Sequence, residues 1–234
     1  MRDQLYNFFI LHQRKYKENT LLVSVFTQEF GKLSAIVRTN KKTLNLYQPL
    51  VKLRGQISFA KKEGGLNKIY NIEFVESFYQ NSYINLLSLQ YINELIYLLL
   101  SYSHEEKLLF DKYAFILRNI DENNYRYLLR MFELELLETL GQGIYVDCDD
   151  ENLPIECECN YYISPYGFKR SLEALVNTVS GSSLLKINQP ISMWDDNDLK
   201  AISKVTRVCI DSVLGDKKLK SRELLVDYLN LKRR

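Results

Sequence analysis

The side chains able to do chemistry in this sequence are two histidines, four cysteines, a run of carboxylates and several blocks of lysine and arginine. His12 ends a strand-like run and His104 opens a helix-like one. Neither stands in the nucleophile–base arrangement of an activated serine or cysteine. Gly64-Gly65 and Gly141-Gln142-Gly143 lack the Lys-Ser/Thr and the strand–helix setting of a phosphate-binding loop. The carboxylates Asp147, Asp149, Asp150, Glu151, Glu156 and Glu158 all fall in one segment. A two-metal nuclease site draws its ligands from separate strands, so a solvated acidic loop is the expectation. Cys157 and Cys159 are two apart, Cys148 is nine residues earlier and Cys209 sits in a helical pattern. These spacings match neither paired zinc knuckles nor a disulfide framework, so free thiols and no metal are expected. No enzyme is indicated.

The basic blocks suit a different chemistry. A single-strand binder needs cations to follow phosphates and aromatic faces to stack bases. Lys32, Arg38, Lys41 and Lys42 lie on or beside one strand-like run, Lys52, Arg54, Lys61 and Lys62 flank another, and Tyr16, Tyr47 and Phe59 are interspersed. A second block, Lys217-Lys218-Leu219-Lys220-Ser221-Arg222, precedes the last helix, whose N-terminal amides could add to a phosphate site. Charge is partitioned along the chain. Residues 1–80 hold 13 Lys/Arg against 6 Asp/Glu, residues 81–199 hold 8 against 19, and residues 200–234 hold 10 against 4. The two ends, but not the middle, suit a polyanion. Solvated lysines guarding barrel edges would give the same pattern.

The elements that must position these groups divide near residue 80. Before it, Tyr6–Leu11, Thr20–Thr27, Lys32–Val37, Leu50–Phe59 and Lys68–Val75 read as strands, with turn-forming residues between them, including Glu63-Gly64-Gly65. Five short strands fit a small closed barrel, either an OB-fold or an SH3-like one. After it, Tyr83–Ser101 reads as a buried helix, followed by helices over Glu105–Asn119 and about Asn123–Leu140, the last stopped by Gly141. Residues 144–170 read as irregular and acidic. Two helices close the chain, Asp198–Leu214 and Ser221–Asn230, with Ser221 as an N-cap. The fold class expected is α+β, a barrel over 1–80 and a mainly helical domain over 81–234. Asn85, Gln90, Asn93 and Glu94 argue against a membrane span in the most apolar segment, and Met1–Tyr6 carries no apolar stretch, so a cytoplasmic protein is expected.

Several strings resemble one family, the RecO recombination mediators. They are Tyr91-Ile92-Asn93-Glu94-Leu95, the run Arg130-Met131-Phe132-Glu133-Leu134-Glu135-Leu136-Leu137 with Leu140-Gly141-Gln142-Gly143 after it, and Gly215-Asp216-Lys217-Lys218-Leu219-Lys220-Ser221-Arg222-Glu223-Leu224. Phe26-Thr27 followed by Gly31-Lys32-Leu33 resembles the barrel's second and third strands. The resemblance implies a five-stranded OB-fold barrel, binding of single- and double-stranded DNA, and annealing of strands coated by single-strand-binding protein (SSB). It also implies cooperation with RecR in loading RecA, and nucleoid association while acting on DNA. Some members carry a four-cysteine zinc module after the glycine stop, which here is degenerate at about 144–170. The family binds the acidic C-terminal tail of SSB, and by motif match Arg130 is the candidate carboxylate partner, with Arg118 second. Paired with Glu133 or Glu135, Arg130 would instead be a helix-surface arginine. The DNA-binding candidates are Lys32, Arg38, Lys41, Lys42, Arg54, Lys217, Lys218, Lys220 and Arg222. A protein-only scaffold is the alternative function.

Overall fold

The computed structural model describes residues 4–41, 43–62, 65–102, 104–173, 175 and 177–232. The turn residues Glu63 and Gly64 therefore lie outside the description, as does Lys42. The chain forms two compact units: residues 1–122 with 219–234, and residues 123–218.

In the first unit, β1 (Tyr6–Lys17), β2 (Thr20–Thr27), β3 (Gly31–Arg38), β4 (Val51–Ser58) and β5 (Asn67–Ser77) close into a barrel in the order β1-β2-β3-β5-β4. The neighbours are antiparallel except β3 and β5, which run parallel. This closure is that of an OB-fold, and it decides between the two barrels that the strand pattern allowed. Side chains two apart fill the interior: Phe8 and Ile10, Val23 and Val25, Leu33, Ala35 and Val37. β1 and β2 are buried on their outer faces as well. Phe9 meets Phe110 and Tyr113, and Phe26 meets Phe110, all from α2 (Lys107–Asn119). The unbroken run Phe8-Phe9-Ile10-Leu11 is thus a strand with two dry faces.

Helix α1 (Tyr83–Leu99) is buried on nearly every side, as its composition requires. Its Asn93 side chain donates to the Leu11 carbonyl (2.9 Å) and accepts from the Tyr113 hydroxyl (3.0 Å), so that interior amide is satisfied by a strand and a helix. Among the described residues no helix is long and apolar enough to cross a membrane.

The second unit holds α3 (Tyr125–Thr139), a sheet in the order β7-β6-β8 (Gly167–Ser171, Asn160–Ser164, Thr178–Ser180), α4 (Gly181–Leu185) and α5 (Asp196–Leu214). The segment expected to be irregular thus contributes most of a small antiparallel sheet. Its strands are too short and polar to alternate visibly, and only Tyr161, Phe168, Thr178 and Val179 of them are buried. Helix α5 begins earlier than expected because the Asp195 carboxylate accepts the N–H groups of Asn197 and Asp198, and Asp198 returns the bond to Asp195 N–H. Helix α6 (Lys220–Lys232) belongs to the first unit.

Candidate nucleic-acid interface

Where β1 ends, β2 begins, β3 ends and β5 begins, four strand ends converge in register. Lys17 pairs with Thr20, Thr20 with Arg38, and Ile36 with Lys68. The result is a groove of about 620 Å³ lined by Tyr16, Lys17, Arg38, Lys68, Tyr70 and Asn71, with no carboxylate among the described residues of its walls. Lys17, Arg38 and Lys68 are exposed, and among the described residues none of them has a carboxylate partner. Tyr16 and Tyr70 leave 48% and 43% of their surface in solvent. The mouth of the β1–β2 turn is the usual oligonucleotide side of an OB barrel. A bulge in β5 shapes this wall: Asn71 takes φ 50° and its amide donates to Gln56 Oε1 at 2.7 Å. Lys17, Lys68 and Tyr70 were not among the sequence candidates. Register, invisible in the sequence, brings them beside Arg38.

The other candidates fare differently. Lys41 is exposed in the turn after β3, beside Asn40, whose side-chain oxygen accepts the Thr43 N–H. Lys32 is corrected out of the interface. It is 4% exposed, and its ammonium donates to the carbonyls of Tyr97 (2.6 Å) and Leu100 (2.8 Å) at the end of α1. Tyr47 is also buried. Its hydroxyl donates to the Arg38 carbonyl, and burial pushes its phenol above the ordinary range, so it offers no stacking face. Phe59 is about half exposed and packs with its ring nearly perpendicular to that of Phe30. Arg54 is exposed but paired with Glu73 at 2.7 Å. Lys52 is partly sequestered, with burial and the nearby Arg118 lowering its ammonium below the lysine range.

Lys217 and Lys218 are exposed in the second unit; Lys220 is exposed and Arg222 half-buried in the first. The phosphate site expected at the start of α6 is filled by the chain itself. The Glu94 carboxylate, from α1, accepts the N–H groups of Lys220 (3.2 Å) and Ser221 (2.8 Å) and the Ser221 hydroxyl. Ser221 is therefore a donor to a distant cap, not the N-cap. Glu94→Ala is expected to weaken α6 by about 1–2 kcal/mol, seen as faster amide exchange over 220–232 with the barrel unchanged. Equal exchange in both proteins would mean the cap carries no stability.

The two arginines proposed for an acidic tail are both engaged. Arg118 pairs with Glu76 at 2.8 Å and lies over the Phe78 ring. Arg130, on α3, pairs with Glu133 at 2.6 Å and donates to the Ser203 hydroxyl of α5; Glu133 also accepts from Thr206. Among the cysteines, Cys148 and Cys157 are exposed, Cys159 is half-buried, and Cys209 is buried in α5, where desolvation raises its thiol to about 11. Among the described residues no three His, Cys, Asp or Glu side chains are arranged to hold a metal.

A closed OB barrel continued by helices defines the class: an OB-fold protein with a helical second half. The chain belongs to the RecO family, its residues 1–78 matching "Recombination protein O N terminal" and residues 80–223 matching "Recombination protein O C terminal". It is 74% identical over 231 residues to the DNA repair protein RecO of Francisella tularensis subsp. novicida (strain U112), covering 99% of this chain and all of that one. The RecO of Francisella philomiragia subsp. philomiragia is 69% identical, covering 98% of each chain. That of Vibrio vulnificus (strain CMCP6) is 30% identical over 96% of this chain and 93% of its own. Membership gives the chain a role in DNA repair and recombination.

Proposed function

We propose that the protein is a non-catalytic recombination mediator whose barrel groove takes up DNA. The observation that carries this reading is the groove in which Lys17, Arg38 and Lys68 accompany the half-exposed Tyr16 and Tyr70, with no carboxylate among its described lining residues. Cations lining one groove neutralise phosphates, and the tyrosine faces suit unpaired bases. Lys41, Lys217, Lys218 and Lys220 are further exposed cations, and a second strand or a duplex would draw on them. Neutralising phosphates on two strands lets base pairing supply the free energy of annealing, with no covalent step. Family membership supports the finer reading: docking on the SSB tail, cooperation with RecR, indirect delivery of RecA, and action in the cytoplasm at the nucleoid.

Binding of a fluorescent single strand, followed by anisotropy over a salt series, tests the groove. Replacing Lys17, Arg38 and Lys68 together with alanine is expected to reduce the log–log salt slope by about 2, at roughly 0.7 per lost phosphate contact. Tyr16→Ala and Tyr70→Ala should each weaken binding by about 1–3 kcal/mol at unchanged slope. An unchanged slope in the triple variant would move the site elsewhere. Docking is tested by annealing oligonucleotides coated with intact SSB or with SSB lacking its acidic tail. Acceleration only with the intact tail supports the mediator. No acceleration with either, together with no binding to bare DNA, would favour a protein-only scaffold.

A further inference from the structure

The segment after α3 is a small module with little core, and modules of this kind ordinarily need a disulfide or a metal as a cross-link. Its cysteines are not joined as a disulfide, and among the described residues no three His, Cys, Asp or Glu side chains converge as metal ligands. Cys148 and Cys157 are free and exposed, and the Cys159 thiol donates to Glu156 Oε2 at 3.5 Å. Charge provides a link in their place. Arg170, on β7, sends Nη2 to within 3.0 Å of Glu156 Oε1, while its Nε lies 3.9 Å from Asp149 Oδ2.

Each carboxylate anchors its own loop. Asp149 has a side chain 1% exposed, and its Oδ1 accepts the N–H groups of Glu151 and Leu153, both at 3.0 Å. It therefore holds the 149–153 turn and leaves its second oxygen facing Arg170. Glu156 opens a tighter turn in which Cys159 N–H donates to the Glu156 carbonyl at 3.2 Å. That turn is held from the sheet by the Tyr161 hydroxyl, which accepts Glu156 N–H at 2.9 Å. It is held from α4 by Gly181 N–H, which donates to the Cys159 carbonyl at 2.8 Å. One guanidinium thus reaches two loops from a strand that belongs to neither. The residues present do not fit a zinc site, because a fixed cation already stands between the carboxylates that the thiols would have to join.

We propose that Arg170 is the cross-link of this module, a side-chain cation in the structural role of a metal, so that residues 146–171 fold without one. An aspartate as deeply buried as Asp149 becomes an uncompensated charge when its partner is removed, and this is the strongly destabilising case for a buried pair.

Hydrogen exchange on the full chain, read by mass spectrometry over 146–171, tests the assignment. Purified protein should carry no stoichiometric zinc, and neither chelator nor added zinc should change exchange there. Arg170→Gln should speed exchange in the 149–159 loops and in β6–β7 roughly tenfold or more, with the barrel unchanged. Arg170→Lys should restore only part of the protection, since one ammonium cannot stand within ion-pair distance of both carboxylates as Nε and Nη2 do. The wild-type chelator experiment stands even if a variant folds poorly. Stoichiometric zinc, or opening of the loops by chelator alone, would overturn the proposal. So would wild-type exchange in Arg170→Gln.

Discussion

Arg130→Ala is expected to destabilise the second unit by about 3–5 kcal/mol, because it breaks an ion pair to a buried carboxylate. Glu133 is only 1% exposed, and its two oxygens are shared between Arg130 of its own helix and Thr206 of α5. With the guanidinium gone, Glu133 loses this ion pair, and α3 loses its Ser203 tie to α5 as well. Thermal or denaturant unfolding followed on residues 123–218 would show the loss directly. The same variant is the natural test of SSB-tail binding, so the two roles must be separated. A double variant, Arg130→Met with Glu133→Leu, removes the charges together. Apolar replacement of a whole buried pair is often close to neutral, so this protein is expected to regain most of the stability. If it is folded and binds a tail peptide as tightly as wild type, Arg130 is not the carboxylate partner. If it is folded and has lost the peptide alone, the arginine serves both purposes. Two features frame the test: the side chain is 14% exposed, and its Nε–H is buried without an acceptor.

How much of this was legible in the sequence follows from the range of the interactions concerned. The five strands could be read because alternation such as Leu33, Ala35 and Val37 is a local signal, and Gly141 could be read as a stop because α3 does end there, with φ 69° at that glycine. The family strings could be recognised, and the structure gives several of their residues a physical task. Asn93 joins a strand to α2, Glu94 caps α6, Glu133 holds α5, and Gly31 passes so near the chain that a β-carbon there would meet the His104 carbonyl oxygen at 1.7 Å. The groove could be read only in part. Arg38 announces itself as a cation ending a strand, but Lys68 joins it through a parallel pairing of strands thirty residues apart, which no local pattern encodes. The sheet after α3 was missed because its strands lack apolar periodicity and are held by turns and Arg170. Basic residues are the hardest to assign, since composition does not distinguish a lysine awaiting phosphate from one already satisfied.

Lys32 is the sharpest instance of that ambiguity. Lys32→Met is expected to lower stability by about 2–4 kcal/mol while leaving the salt slope of DNA binding unchanged. The ammonium closes the C-terminal end of α1, where carbonyls left over from the helix carry partial negative charge. It donates to two of them and lies 5.6 Å and 4.5 Å from the ring centres of Tyr97 and Tyr102. The backbone beside it is engaged too, through a bridge between Lys32 and Tyr102. Methionine keeps the length of the stem but leaves buried carbonyls without a donor, each such loss costing about 1–3 kcal/mol. Exchange should therefore quicken at the end of α1 and along β3, and the unfolding midpoint of the first unit should fall. A phosphate-binding lysine would behave in the opposite way, with a flatter salt slope and no change in stability. Arg38→Ala supplies that contrast in the next exposed cation along the same strand, so measuring both quantities on both variants separates the two kinds of positive charge in β3.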